Sequence, residues 1–284
     1  MQMPSDPSER IFWGFILSGF ILVALVAFMQ GHRDLTRQQF RRLFSFRYWW
    51  TRDTFVDVGL LCSNGLLKLF LLVPLLGAQL AIALMFARAL ANGFGDAPQL
   101  FLGGFWIIAL YSLVFFVLED ASRFGLHLAL HKLPLLWHFH KVHHSAEHLT
   151  PLTLYRIHPV EMTLYYFRSM LVFGVVTGVF IYLFGPQLSA WEILGVDALG
   201  FLFNLAGANL RHSPIWLSFG KLEKWLISPA QHQIHHSAAP EHKDLNFGVC
   251  LSCWDRLLGT WQAAGLPRNM VFGLSTRSRR VFSV

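Results

Sequence analysis

The chain has 284 residues, 54% of them hydrophobic and 14% charged, with a mean hydropathy of +0.46. Ordinary soluble domains carry about 25% charged residues, so this composition excludes a disordered tail, a nucleic-acid arm and an ordinary cytosolic enzyme, and points to a membrane protein. The formal charge of +7, from 23 basic and 16 acidic residues, then suits an anionic lipid surface rather than nucleic acid, because uncharged stretches flank the basic ones.

Residues 11–29 are uncharged and long enough to cross a bilayer, which takes about 20 residues. The apolar run exceeds a signal-peptide core and lacks a strongly basic leader, so a retained helix is expected. Arg33, Arg37, Arg41, Arg42, Arg47 and Arg52 come next, with Trp49 and Trp50 beside them, as in a cytoplasmic loop at headgroup level. Further crossings are predicted at 69–87, kinked at Pro74, at 101–118 after a polar turn from Ala91 to Gln99, and at about 162–184 and 188–206, a hairpin turning at Gly185-Pro186. Five crossings put the N-terminus outside and the C-terminus in the cytoplasm, with nearly all Lys and Arg in the inner segments. Two crossings within 55–90 would invert the topology of every later segment; Lys68 in the middle argues against them. No linker divides the chain and no repeat is present. Three cysteines make no disulfide framework, and Cys250 and Cys253 are read as small buried apolar residues.

Histidine is the anomaly, at 14 residues. His127 and His131 are four apart and share one face of a helix. His140, His143 and His144 stand at i, i+3 and i+4, again one face. About ninety residues later His232, His235 and His236 repeat that spacing, with Pro229 near the start of their helix. At this histidine content one H-x-x-H-H arises by chance in roughly one chain in thirty, and two in about one in two thousand. Eight imidazoles exceed the three or four ligands of one ion. Two transition-metal ions fit the number, and the ligand type excludes calcium and magnesium. Spacing alone does not choose iron.

At these residues the chain resembles the fatty acid hydroxylase/sterol desaturase superfamily of integral-membrane non-haem di-iron enzymes. The resemblance runs from about Asp120 to Trp261. It lies in HLALH at 127–131, LWHFHKVHHS at 136–145, RIHPVE at 156–161, NLRH at 209–212, ISPAQHQIHHS at 227–237, and DLNFG and WDRLLGT near 244–260. It implies an all-α, polytopic fold of about five membrane helices with a cytosolic histidine-bearing cap, residues 1–100 forming N-terminal membrane helices and a basic loop, and 101–284 the catalytic domain. Carried over by position, the metal ligands are His127, His131, His140, His143, His144, His232, His235 and His236. A ninth is expected before an Ala-Asn pair, where this chain has Gly207; His212 is the substitute. Asp120, His158, Glu161 and Asp244 are candidates to hold the free ring N–H groups. His242 either braces a ligand or faces substrate, and His32, His138 and His148 are structural. Glu192 and Asp197 suggest a buried pairing with Arg168.

The resemblance further implies two iron ions, O2 as co-substrate, and hydroxylation or desaturation of a lipid: a sterol, fatty acyl chain, ether lipid or isoprenoid. No haem, iron–sulfur or nucleotide motif is present, so a separate electron donor is expected, ferredoxin- or cytochrome-type with a reductase. Arg277, Arg279 and Arg280 could dock an acidic donor or meet lipid headgroups. No nucleic-acid partner is expected. The expected location is a bacterial inner membrane, with the site on the cytoplasmic side. The competing class is a histidine-rich metal transporter or sensor, whose site would lie near the bilayer midplane.

Overall fold

The computed structural model describes residues 13–30, 38, 41–72, 75–98, 100, 102–185, 198–266 and 270–274. His32, Glu192, Asp197, Arg277, Arg279 and Arg280 lie outside them, as does most of the crossing predicted at 188–206. The described residues are helical apart from loops and two isolated bridges, Leu226 with Leu251 and Ser237 with Phe272. The main helices are α1 (Trp13–Gln30), α2 (Arg52–Leu67, continued by a π-turn over Lys68–Leu72), α3 (Leu76–Phe94), α4 (Gly104–Lys132), α5 (Pro134–His144), α6 (Pro159–Phe184), α7 (Ala198–Leu205), α8 (Pro229–His235) and α9 (Cys253–Leu258).

Helix α1 covers most of the crossing expected at 11–29, and most of the one expected at 188–206 lies outside the described residues. Among the described residues three helices, spanning 77–94, 104–132 and 159–184, are long and apolar enough to cross a membrane. Their side-chain pairs fix their directions. Glu119 of α4 meets Arg168 of α6, and eight residues earlier Tyr111 meets Thr177 through their hydroxyls at 3.0 Å, so α4 and α6 are antiparallel. Along α3, Ile82 faces Gly174 while Ala83 and Phe86 face Gly178, and the Tyr182 hydroxyl donates to the Gly95 carbonyl. Helices α3 and α6 are therefore parallel. The two glycines, four apart, let the backbones approach: a Cβ on Gly178 would stand 2.7 Å from the Ala83 carbonyl oxygen.

The 55–90 stretch resolves into two unlike parts. The Asp57 carboxylate of α2 binds Arg156, and Asn64 Nδ2, seven residues on, still reaches the Ile157 carbonyl at 2.7 Å. Helix α2 thus runs across the histidine-bearing end of the bundle, and only α3 traverses it. The limits differ from the sequence expectation. The π-turn ends at Leu72 and α3 begins at Leu76, and the apolar span runs over 77–94 rather than 69–87; Pro74, where a kink was expected, lies outside the described residues. The predicted polar turn is helical as far as Phe94 and ends at Gly95, with φ +81°.

Helix α4 has 29 residues, about 43 Å at 1.5 Å each, against a hydrocarbon core of about 30 Å. Its last two turns therefore project beyond the apolar stretch and carry His127 and His131. Arg168 is bound by Glu119 through both guanidinium ends, at 2.6 and 2.9 Å; Glu192 and Asp197, its expected partners, lie outside the described residues. Proline opens α5, α6 and α8, where its missing N–H costs nothing. Ser228 and Gln231 form a reciprocal capping box that starts α8.

Candidate metal centre

Nine imidazoles from four parts of the chain meet at one end of the bundle. Helix α4 supplies His127 and His131, α5 supplies His140, His143 and His144, and α8 with its C-cap supplies His232, His235 and His236. The ninth, His212, ends a short 3-10 turn that Gly207 starts at φ +86°. Gln233 holds that turn against α8, donating to the Ser213 and Ile215 carbonyls at 3.0 and 2.8 Å. Eight of the nine residues are buried; His131 is partly exposed.

The rings fall into two groups, within each of which one ligand atom per residue lies within 4.8 Å of every other. His127, His131, His140, His144 and His235 form one; His143, His212, His232 and His236 form the other. Each H-x-x-H-H run is shared between groups. In α5 the i and i+4 residues, His140 and His144, join the first and His143 the second. In α8 the pattern inverts: His232 and His236 join the second and His235 the first. The groups adjoin, with the His144 and His236 rings stacked at 4.4 Å between centroids.

A bound cation fits these donors. In the first group Nε2 of His131, His140, His144 and His235 is buried without a hydrogen-bond partner, a costly arrangement for four lone pairs unless something electrophilic sits among them. In the second, Nε2 of His212, His232 and His236 form a triangle with sides of 3.0–3.1 Å. Three ring nitrogens in mutual contact cannot donate to one another along straight bonds, whereas one ion at ordinary imidazole bond lengths of about 2.0–2.1 Å satisfies all three.

Four of the outer nitrogens are held, while His232 Nδ1 is buried without a partner. A carbonyl oxygen can only accept, so Nδ1 of His127 donates to Phe247 (2.7 Å), that of His235 to Leu245 (2.8 Å) and that of His143 to Arg156 (3.2 Å). His140 Nδ1 donates to Glu161 Oε1 at 2.9 Å. Each contact puts the proton on Nδ1 and leaves the Nε2 lone pair for a metal. Burial pushes the His143 imidazole down to about 4, and burial followed by neighbouring imidazoles drives His144, His235 and His236 well below the ordinary value. The lowered values of these four rings favour the neutral form, the one that ligates.

The other candidate residues scatter. Asp244 Oδ1 stands 3.8 Å from His131 Nδ1 while its other oxygen accepts from Lys132. Asp120 meets no imidazole: it accepts from the Cys250 and Leu251 N–H groups and from Trp254 Nε1, tying the 250–254 segment to α4. His158 caps α6 through Nδ1. His242 bonds Ser237, and His148 packs edge-on against Tyr48. His138 packs beside Phe139. Cys250 is buried and Cys253 partly so.

Several supporting residues were not singled out by spacing. Asp244 and Asn246 have φ of +61° and +54°, an unfavourable region for side-chain-bearing residues. That alternation aims the carbonyls of Leu245 and Phe247 at His235 and His127. Asn246 Oδ1 accepts from the Gln262 N–H at 2.8 Å, and Asp255 accepts from Phe247 and Gly248 N–H at 2.8 and 2.7 Å. Arg156, whose carbonyl holds His143, is itself clamped by Asp53 and Asp57 of α2. The DLNFG and WDRLLGT blocks were the available signal for the first set; nothing marked Asp53 or Asp57.

Comparison with known proteins agrees with this architecture. Over 254 residues the chain is 25% identical to an ornithine lipid hydroxylase of Rhizobium tropici, covering 86% of this chain and 69% of that protein. It is 26% identical over 156 residues to human alkylglycerol monooxygenase, spanning 55% of this chain but 31% of that enzyme. It is 27% identical over 164 residues to mouse cholesterol 25-hydroxylase, spanning 56% of this chain and 49% of that enzyme. No solved structure matches. The pattern of the family described as fatty acid hydroxylase matches residues 112–260. That match takes in all nine clustered histidines and the loops that hold them, and the chain belongs to the fatty acid hydroxylase family.

Proposed function

We propose that the protein is a membrane-embedded oxidoreductase that holds two iron ions and uses O2 to hydroxylate a C–H bond of a bilayer lipid. The observation that carries this reading is the division of nine imidazoles into two adjoining groups, with the outer nitrogens of four of them, His127, His140, His143 and His235, tied to fixed acceptors. His127, His131, His140, His144 and His235 would hold one ion, and His143, His212, His232 and His236 the other. Iron bound there would supply O2 activation.

The chain's own contribution is placement and exclusion. Glu161 and the carbonyls of Leu245, Phe247 and Arg156 fix ring orientation and keep the proton off the ligating nitrogen. Burial of the rings keeps bulk water from the reacting atoms. The site lies beyond the apolar ends of α4 and α6, so an acyl or other apolar chain reaches it from the bilayer. Hydroxylation is favoured over desaturation because the three relatives above are named as hydroxylases or monooxygenases. Inserting one oxygen atom and releasing the other as water takes two electrons and two protons, which a separate redox protein provides from the cytoplasmic side. The clusters' place at the end of the bundle, rather than midway along it, weighs against a transport site.

Two measurements test the reading together. Metal analysis of the purified, detergent-solubilised chain is expected to give about two irons per chain. Lipids from cells expressing it under 18O2 are expected to contain one class heavier by a single labelled oxygen. Folded protein holding one ion or none, or a lipidome without labelled oxygen, refutes it.

A further inference from the structure

Two short segments lie side by side on the outside of the histidine-bearing cap: the 3-10 turn Gly220–Lys224 and helix α9. The Ser252 N–H donates to the Trp225 carbonyl at 3.0 Å, Arg256 Nη1 donates to the Lys224 carbonyl at 3.2 Å, and the Arg256 guanidinium lies over the Trp225 ring at 5.7 Å. Leu222, Trp225, Leu257 and Leu258 are 60%, 64%, 75% and 56% exposed. Lys221, Lys224 and Arg256 are exposed among them. The acids of the same segments point inward. Glu223 accepts from Ser218, Ser228 and the Ala264 N–H, and Asp255 from Phe247, Gly248 and Thr260. The outer face therefore presents bulky apolar groups and positive charge alone.

Its depth is set by what lies beneath. Phe219 and Leu226 pack with Phe203 and Cys250 in a cluster that also includes Phe116, within the apolar part of α4. Asp120, just past that apolar part, binds the backbone of Cys250 and Leu251. The face is thus level with the point where α4 leaves its apolar stretch, the boundary between hydrocarbon and headgroups. Leucine and tryptophan with flanking Lys and Arg are the composition that settles into that boundary.

We propose that this face is seated in the membrane: Leu222, Trp225, Leu257 and Leu258 insert among the outer acyl segments of the adjacent leaflet, and Lys221, Lys224 and Arg256 engage anionic phospholipid headgroups. Depth decides for lipid over a soluble partner, because a patch level with the end of a membrane helix has bilayer beside it. The inner side of α9 carries Asp255, so the leaflet contact adjoins the loop that holds His127. The proposal stands on the packing and charge of the cap, independently of the metal chemistry.

The test uses the full chain in nanodiscs of phosphatidylcholine and phosphatidylglycerol, with tails brominated near the headgroup or unbrominated. Trp225 emission is read as the difference between the wild type and Trp225→Phe. Bromine is expected to quench it about twofold, with little quenching by aqueous acrylamide. The triple variant Lys221→Glu/Lys224→Glu/Arg256→Glu is expected to lose most of that quenching in anionic discs. His143→Ala, which disturbs the second metal group, is expected to leave it unchanged. Acrylamide quenching without bromine quenching overturns the proposal in favour of a water-exposed face. Shielding from both quenchers overturns it in favour of a protein partner or a second copy. Charge reversal without effect in anionic discs also overturns it.

Discussion

The contact between Glu161 and His140 offers a sharp test of how the centre is held. Both side chains are almost fully buried, and Glu161 Oε1 accepts from His140 Nδ1 at 2.9 Å. In Glu161→Ala the imidazole N–H loses its carboxyl acceptor, whose pKa burial pushes up to about 7, and is left buried and unpaired, at a cost of about 1–3 kcal/mol. Loss of such an outer contact lowers metal affinity about 10–100-fold, or about 1.4–2.7 kcal/mol, in agreement with that figure. Glu161→Gln keeps a neutral acceptor of the same shape, worth about 0.5–1.5 kcal/mol, so the expected loss is about tenfold or less. His140 belongs to the first group alone, so only one of the two proposed ions should be affected. Iron retained per chain is measured against a graded chelator. The alanine variant should release one ion at a chelator concentration about 10–100-fold lower than wild type does, with the second release unmoved. Equal weakening of both ions, or a glutamine variant as impaired as alanine, would overturn this account of the contact.

Three further outcomes are expected from the geometry. Gly178→Ala should cost about 1–3 kcal/mol of thermal stability in detergent, because the new methyl meets the Ala83 carbonyl oxygen at 2.7 Å, while Gly125→Ala, with open space at its Cβ, should cost nothing. The ligating form of imidazole is neutral, and a lowered pKa delays proton competition: chelator-resisted iron should stay level from pH 8 to about pH 5 and fall towards the value of about 4 for His143, whereas ordinary imidazoles would each lose about tenfold by pH 5.5. In metal-free protein the same shift makes stability fall as pH drops below about 6.5, because the unfolded chain takes up protons the folded chain refuses. Asp57→Asn should cost about 3 kcal/mol of stability, since it removes a buried charge from Arg156, and should loosen the second ion, because the Arg156 carbonyl holds His143; loss of the first ion alone would contradict that chain of contacts.

What the sequence disclosed and withheld divides along physical lines. Residues four apart on a helix face the same way whatever surrounds them, so spacing alone was enough to bring His127 with His131, and His140 with His144, onto common faces. Residues three apart differ in direction by a fraction of a turn. Which group each joins depends on where the partner helix lies, and spacing treats His143 and His144 alike. The structure sends His143 to one group and His144 to the other, and inverts the assignment for His235 and His236. Asp120, a candidate to hold an imidazole N–H, binds the 250–254 segment instead. A carboxylate is claimed by whichever unpaired donors are closest in space, and the backbone of 250–251 had none better. Asp57 was hidden for the converse reason: it acts through Arg156, ninety-nine positions along the chain, and an acid near the start of a helix carries no mark of its partner. Motif spacing therefore reports the clustered histidines, whose geometry is local, while the carbonyls and carboxylates that aim them come from loops that close only in three dimensions. The left-handed backbone at Asp244 and Asn246 shows why those loops matter. A conformation that side-chain-bearing residues avoid persists because Asn246, Asp255 and two imidazole N–H groups all need the chain to run that way.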